Sequence, residues 1–133
     1  MLVHLAAYGT LMTGQTNGLS AAVRRRMVSA GRCRIPGILF RVQNRSVFDY
    51  PALVTAPGHS VAGELFTLPS ADLPAIDRYE DYRPDAPGGS AYIRRRLVVR
   101  TERGATHAWV YVWNRSVAGL KPVGGDAWKT AAG

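Results

Sequence analysis

A short stretch near the N-terminus, Tyr8-Gly9-Thr10-Leu11, places a tyrosine and a glycine directly after an apolar run from Leu2 to Ala7 that predicts a buried strand. Glycine lets the backbone approach a ligand closely, and successive unpaired N–H groups after a strand can form a small anion-binding concavity. A plain turn beside a tyrosine would have the same spacing. The stretch therefore indicates a binding loop only if the chain supplies a chemical partner elsewhere.

Three carboxylates are candidates for that partner. Glu80 lies at the end of a predicted helix, and Asp77 lies three residues earlier on the same helix side. Glu64 lies inside an apolar strand, where a carboxylate must be paired or exposed. Each also has a structural explanation: Glu80 as a solvated helix carboxylate, Asp77 as a loop cap or a residue that orients Glu80, and Glu64 as the partner of an arginine.

Tyrosines form the second set of candidates. Tyr8, Tyr92 and Tyr111 can act as hydrogen-bond donors in a pocket, although single tyrosines are also common in cores. In the last predicted strand Tyr111 shares a face with two tryptophans and a histidine, while small apolar residues occupy the other face. That alternation predicts a strand with two distinct faces.

The sequence lacks the residue patterns of several kinds of catalytic site. His4, His59 and His107 are scattered and Cys33 is the only cysteine, so no zinc-ligand spacing exists. The chain has neither a Gly-x-Ser-x-Gly elbow nor a phosphate-binding Gly-Lys-Ser or Gly-Lys-Thr loop. We therefore predict no metal, no cofactor and no disulfide.

Charge is the most unusual feature of the composition. The 133 residues carry 17 Lys plus Arg against 9 Asp plus Glu, and two runs stand out, Arg24-Arg25-Arg26 and Arg94-Arg95-Arg96. Basic patches can bind nucleic acid, but aromatic residues do not interleave with these runs as single-strand binding requires. Nucleic-acid binding is therefore the minor hypothesis, with salt-sensitive retention on DNA or RNA as its test.

Length and hydropathy predict one domain over residues 1–133, without a signal peptide or a membrane span, in the cytoplasm. About six or seven short strands and two short helices are expected, with no strand–helix alternation. That pattern favours an α+β fold whose sheet curls into a small barrel. The predicted helices cover residues 19–27 and about 70–80; the predicted strands cover residues 2–7, 32–35, 38–42, 49–54, 61–68, 91–101 and 107–113.

Taken in order, these pieces resemble the γ-glutamylcyclotransferase-like family, including the γ-glutamylamine cyclotransferases. The resemblance covers almost the entire chain, and it is carried by the order and spacing of motifs rather than by any single one. The matching segments are Tyr8-Gly9-Thr10-Leu11 with Gly14 and Asn17, Pro36–Phe40, Tyr50–Leu53, Val61–Phe66, Ile76-Asp77-Arg78-Tyr79-Glu80, Ser90–Arg94, Ala108–Val112 and, with one residue inserted, Gly124–Trp128.

The resemblance implies a small mixed β-barrel with flanking helices. It also implies intramolecular aminolysis of a γ-glutamyl compound, which gives 5-oxoproline and a free amine. The family's proton acceptor corresponds to Glu80 and its substrate loop to Tyr8, Gly9, Thr10 and Leu11. Beside these residues, we expect Tyr92 and Tyr111 to line the pocket as donors that reach the ligand from neighbouring strands. The expected partner is therefore a small γ-glutamyl molecule.

Two points stay open at this stage. Members of the superfamily differ in substrate, so the leaving amine does not carry over, and the sequence does not define an oligomeric state. The alternative function is a non-catalytic domain of the same fold that binds a small carboxylated metabolite.

Overall fold

A five-stranded closed barrel forms the centre of the computed structural model, which describes residues 1–9, 19–42 and 50–123. The strands are β1 (Leu2–Ala7), β2 (Val28–Pro36), β3 (Ile38–Val42), β4 (Tyr50–Val54), β5 (Ser60–Pro69), β6 (Tyr92–Thr101), β7 (Gly104–Trp113) and β8 (Lys121–Pro122). The barrel order is β1-β5-β2-β6-β7, and it closes through a parallel contact between β1 and β7 at Leu5 and Trp109. A second sheet has the order β4-β3-β8.

Two short helices flank the barrel, α1 (Ala21–Arg26) and α2 (Leu73–Tyr79). Single 3-10 turns precede α2 at Ser70–Asp72 and β6 at Pro87–Gly89. The predicted α+β barrel with two helices is thus confirmed, with eight strands among the described residues instead of six or seven. Among those residues, no helix has the length and apolar character needed to cross a membrane.

Strand alternation divides the core into two clusters. Ala108, Val110 and Val112 of β7 point into the barrel, whereas Trp109 and Tyr111 pack on its outer side with α2. The predicted two-faced pattern of β7 is therefore confirmed. The outer cluster, which includes Leu5, Phe66, Leu68, Leu73 and Ile76, holds α2 against the barrel. Because these apolar side chains are almost fully buried, they fix the end of α2 relative to β1, β6 and β7.

Several predicted boundaries were wrong. The strand predicted over residues 32–35 begins at Val28, because Gly31 lies in a β-bulge within the strand, with φ +100°, and does not interrupt it. The helix predicted over residues 19–27 is shorter, since Ser20 caps it by accepting the Val23 N–H at 3.2 Å. Asp72 occupies the N-cap position of α2, but its carboxylate binds Arg26 at 2.7 and 2.8 Å and makes no cap hydrogen bond to the helix.

Candidate active site

A cavity of about 350 Å³ opens where the end of α2 meets the ends of β1 and β7 and the starts of β4 and β6. Five of the residues that line it are tyrosines, and Glu80 and Asp81 are its only carboxylates among the described residues. The tyrosines are Tyr8, Tyr50, Tyr79, Tyr92 and Tyr111. The site is thus an aromatic cavity with two acidic groups at one side.

The C-terminus of α2 places Glu80. The Glu80 N–H donates to the Ile76 carbonyl at 2.9 Å, and the Tyr82 N–H reaches back to the Asp77 carbonyl at 2.8 Å. Asp81, with φ 56°, occupies the left-handed position that ends many helices, where glycine is the usual residue. The chain therefore turns away immediately after Glu80 and leaves that side chain at the cavity.

Burial changes the acidity of Glu80. Desolvation raises the pKa of its carboxyl group from an ordinary value of 4.5 to about 7. A group with a pKa near neutrality exchanges a proton easily at physiological pH. The chemical consequence is that Glu80 can both accept and return a proton within this cavity.

The three predicted tyrosines lie around the same cavity on three different strands. The hydroxyl of Tyr8 donates to the main-chain oxygen of Tyr111, that of Tyr92 to the Pro51 carbonyl at 2.5 Å, and that of Tyr111 to Asp77 Oδ1 at 2.6 Å. We expected these three hydroxyl groups to donate hydrogen bonds to a ligand, but in the structure they donate to oxygen atoms of the protein. The sequence alone does not show which acceptor a tyrosine hydroxyl is hydrogen-bonded to.

An ion pair lies behind Tyr111. Arg94 donates Nε–H to Asp77 Oδ1 at 2.8 Å and a second N–H to Asp77 Oδ2 at 3.1 Å, and both side chains are largely buried. Asp77 thus contacts Tyr111 and Arg94, and no described hydrogen bond joins it to Glu80. Sequence reasoning missed Arg94, which it treated as part of a basic run. Strand alternation could have indicated its position, since Arg94 lies two residues from Tyr92 and therefore on the same face of the strand. In the structure, Arg94 is opposite Tyr111 in the β6–β7 register.

The structure describes two of the four residues of the predicted substrate loop. Tyr8 and Gly9 line the cavity, and a Cβ atom on Gly9 would lie 2.7 Å from Cγ of Pro51. The close approach of Gly9 to Pro51 therefore requires glycine. Thr10 and Leu11 lie outside the described residues, as do Gly14, Asn17 and the Gly124–Trp128 segment.

The other candidates lie elsewhere. Glu64 accepts a hydrogen bond from the Ser29 hydroxyl at 2.6 Å and does not line the cavity. Cys33 is buried in the barrel, where desolvation, with a contribution from Glu64, raises the pKa of its thiol to about 11. Over residues 1–9, 19–42 and 50–123, no three His, Cys, Asp or Glu side chains are grouped so that they could hold a metal ion.

Comparisons with known proteins agree on the fold. The family model described as "Gamma-glutamyl cyclotransferase, AIG2-like" matches residues 5–130. An AIG2-like protein from Mus musculus is 21% identical, with a TM-score of 0.71 over 96% of this chain and 88% of that one. A solved structure titled "Gamma-glutamyl cyclotransferase" is 14% identical, with a TM-score of 0.65 over 92% of this chain and 70% of that one.

A longer protein also contains this fold. YkqA from Bacillus subtilis is 19% identical, with a TM-score of 0.66 over 96% of this chain, but the chain spans only 40% of its length. A search of curated proteins found no match. At these identities, the likeness to the solved structures establishes the architecture alone.

Proposed function

Because the chain belongs to the AIG2-like gamma-glutamyl cyclotransferase family, we propose that it releases 5-oxoproline from a γ-glutamyl compound, with Glu80 as the general base. The observation that carries the proposal is the position of Glu80: a desolvated carboxyl group with a pKa of about 7, at the edge of a cavity large enough for a γ-glutamyl group. The substrate is a small molecule, and no cofactor takes part.

The substrate supplies its own nucleophile. The α-nitrogen of a γ-glutamyl group attacks the γ-carbonyl carbon, a five-membered lactam forms, and the bond to the leaving amine breaks. A cavity that folds the substrate back on itself accelerates this step through proximity. The protein therefore needs neither a serine nor a cysteine nucleophile, and the buried Cys33 thiol has no part in the reaction.

Protons must move from one nitrogen to another. The α-nitrogen begins as an ammonium group and ends with one hydrogen in the lactam, while the leaving nitrogen gains two. Glu80 accepts these protons and passes them on, so it returns to its starting state. A base with a pKa near the working pH suits both halves of the transfer, and such a group typically contributes 10²–10⁴-fold to the rate.

The α-carboxylate and the developing oxyanion require hydrogen-bond donors. Main-chain N–H groups of the loop from Tyr8 to Leu11 are our candidates, because loop donors held in place need no reorganisation during the reaction. The close packing of Gly9 on Pro51 supports this role, since it holds the start of the loop at the cavity wall.

A panel of γ-glutamyl amines and γ-glutamyl dipeptides, with 5-oxoproline as the measured product, tests the function. We expect release from at least one member, and a loss of at least 10²-fold in Glu80→Gln with the fold retained. Glu102→Gln is the matched control, because that exposed glutamate lies in the β6–β7 turn. Tight binding without turnover of any member would instead indicate the binding domain, and an active Glu80→Gln would reject the base.

A further inference from the structure

Three of the five tyrosine hydroxyl groups in the cavity share one property. A phenol has one hydrogen to donate and two lone pairs to accept with. The hydrogens of Tyr8, Tyr92 and Tyr111 are already donated to protein acceptors. Toward a ligand, these three oxygens can therefore act only as hydrogen-bond acceptors.

These three tyrosines and Glu80 line the same cavity. Burial is the largest cause of the raised pKa of each of the three tyrosines, and the negative charge of Glu80 contributes in every case. Among the described residues that line the cavity, none is lysine, arginine or histidine. The part of the cavity that these three oxygens form with Glu80 therefore combines acceptor oxygens with a carboxylate and suits a cationic ligand group.

We propose that the hydroxyl oxygens of Tyr8, Tyr92 and Tyr111 receive the ammonium group of the ligand beside Glu80. The inference rests on the proposed function, because a γ-glutamyl substrate supplies that ammonium group on its α-carbon. An ammonium group on carbon has three N–H donors: one is directed at Glu80 for the proton transfer, and the three tyrosine oxygens share the other two. Charge-assisted hydrogen bonds of this kind are about twice as strong as neutral ones.

Asp77 and Arg94 are positioning residues in this proposal. Tyr8 and Tyr92 donate to main-chain carbonyls, whereas Tyr111 donates to a side chain, Asp77. Arg94 holds both oxygens of that carboxylate. Since a guanidinium group can only donate, Asp77 must remain an acceptor, and the Tyr111 hydrogen stays directed away from the cavity.

Two ligands separate the ammonium contact from every other contact. L-Glutamine and 4-carbamoylbutanoate share the amide and the carboxylate and differ in the α-ammonium group. Their Kd values are measured by ligand-detected NMR, which reports any conversion of glutamine to 5-oxoproline in the same sample. We expect the intact protein to bind glutamine about tenfold or more tightly than 4-carbamoylbutanoate.

Two variants test the role of Tyr111. Tyr111→Phe removes the oxygen and keeps the ring. The double variant Asp77→Leu with Arg94→Met keeps the oxygen, removes both charges together and frees the hydroxyl to rotate. The ratio of the Kd of 4-carbamoylbutanoate to the Kd of glutamine measures the ammonium contact. Each variant is expected to reduce this Kd ratio severalfold, with the Kd of 4-carbamoylbutanoate unchanged.

The control is Arg26→Met with Asp72→Leu. This pair has the same two-bond geometry, and Asp72 directly precedes α2, but neither residue lines the cavity. Both Kd values should be unchanged in that variant. If the double variant at Asp77 and Arg94 does not fold, Tyr111→Phe alone tests the ammonium site.

The outcomes distinguish the two proposals. A wild-type ratio near one, or a ratio unchanged in Tyr111→Phe, overturns the ammonium site while 5-oxoproline release from the panel still supports the function. A ratio that falls as expected, without turnover of any panel member, supports the ammonium site and rejects the cyclotransferase activity.

Discussion

Replacing Glu80 with glutamine should stabilise the protein at high pH while it removes the proposed base. Desolvation places the pKa of Glu80 at about 7 in the folded protein, against an ordinary 4.5. A raised pKa means that folding disfavours the ionised form. Glutamine has the same shape and no charge to desolvate, so the substitution removes this penalty.

The sign and the size both follow from the two pKa values. Below pH 4.5 the carboxyl is protonated in the folded and unfolded states, and Glu80 adds no pH dependence. Between pH 4.5 and about 7 the unfolded chain loses its proton first, so the free energy of unfolding of the wild type falls. Above about pH 7 the carboxyl is ionised in both states, and the loss of free energy of unfolding is constant. At about 1.4 kcal/mol per pH unit, its upper value is about 3 kcal/mol.

Urea denaturation of the wild type and Glu80→Gln from pH 4 to pH 8 measures the difference. The two should agree at pH 4, and the variant should gain stability up to about 3 kcal/mol by pH 8. Glu102→Gln, in an exposed turn, controls for the loss of one negative charge. A difference that is constant across the range, or that equals the Glu102→Gln result at pH 8, would refute the assignment of a desolvated carboxyl.

Two further predictions concern activity. The kcat/KM for 5-oxoproline release should rise about tenfold per pH unit and level off near pH 7, where Glu80 loses its proton; an acidic limb centred near 4.5 would contradict the raised pKa. Gly9→Ala should lower kcat/KM by about tenfold or more, because its Cβ would lie 2.7 Å from Cγ of Pro51 and displace the loop. Gly88→Ala, where a Cβ would meet no atom within 4 Å, is the control, and equal activity in both variants would exclude a positioning role for Gly9.

Much of the fold could be predicted because strand alternation is a local property. The two faces of β7 follow directly from the sequence, and they correspond to the inside and outside of the barrel. The closure of the barrel could not be predicted in the same way, since β1 and β7 meet through one parallel register position between residues about one hundred positions apart. β8 was also missed, because two residues carry no periodicity.

Tyr8, Gly9 and Glu80 were predicted through the family resemblance and Tyr92 and Tyr111 as pocket tyrosines, and the structure places all five at one cavity; Tyr50, Tyr79 and Asp81, which also line it, were missed. Their hydrogen bonds could not be predicted, because a hydroxyl bond depends on contacts between strands distant in sequence. Arg94 was missed for a related reason. Three consecutive arginines resemble one charged surface, yet Arg94 lies on the same face of β6 as Tyr92 and binds Asp77, while Arg95 and Arg96 are exposed.

The end of α2 departs from local preference at two consecutive positions. A carboxylate is disfavoured near the C-terminus of a helix, where Glu80 lies, and burial disfavours its ionised form as well. Asp81 then adopts φ 56°, a conformation that glycine would adopt without steric strain. Both residues line the same cavity, and departures from local preference are expected at functional sites. Selection for a base near neutral pH explains the first, and it requires that Glu80→Gln be the more stable protein and the inactive one.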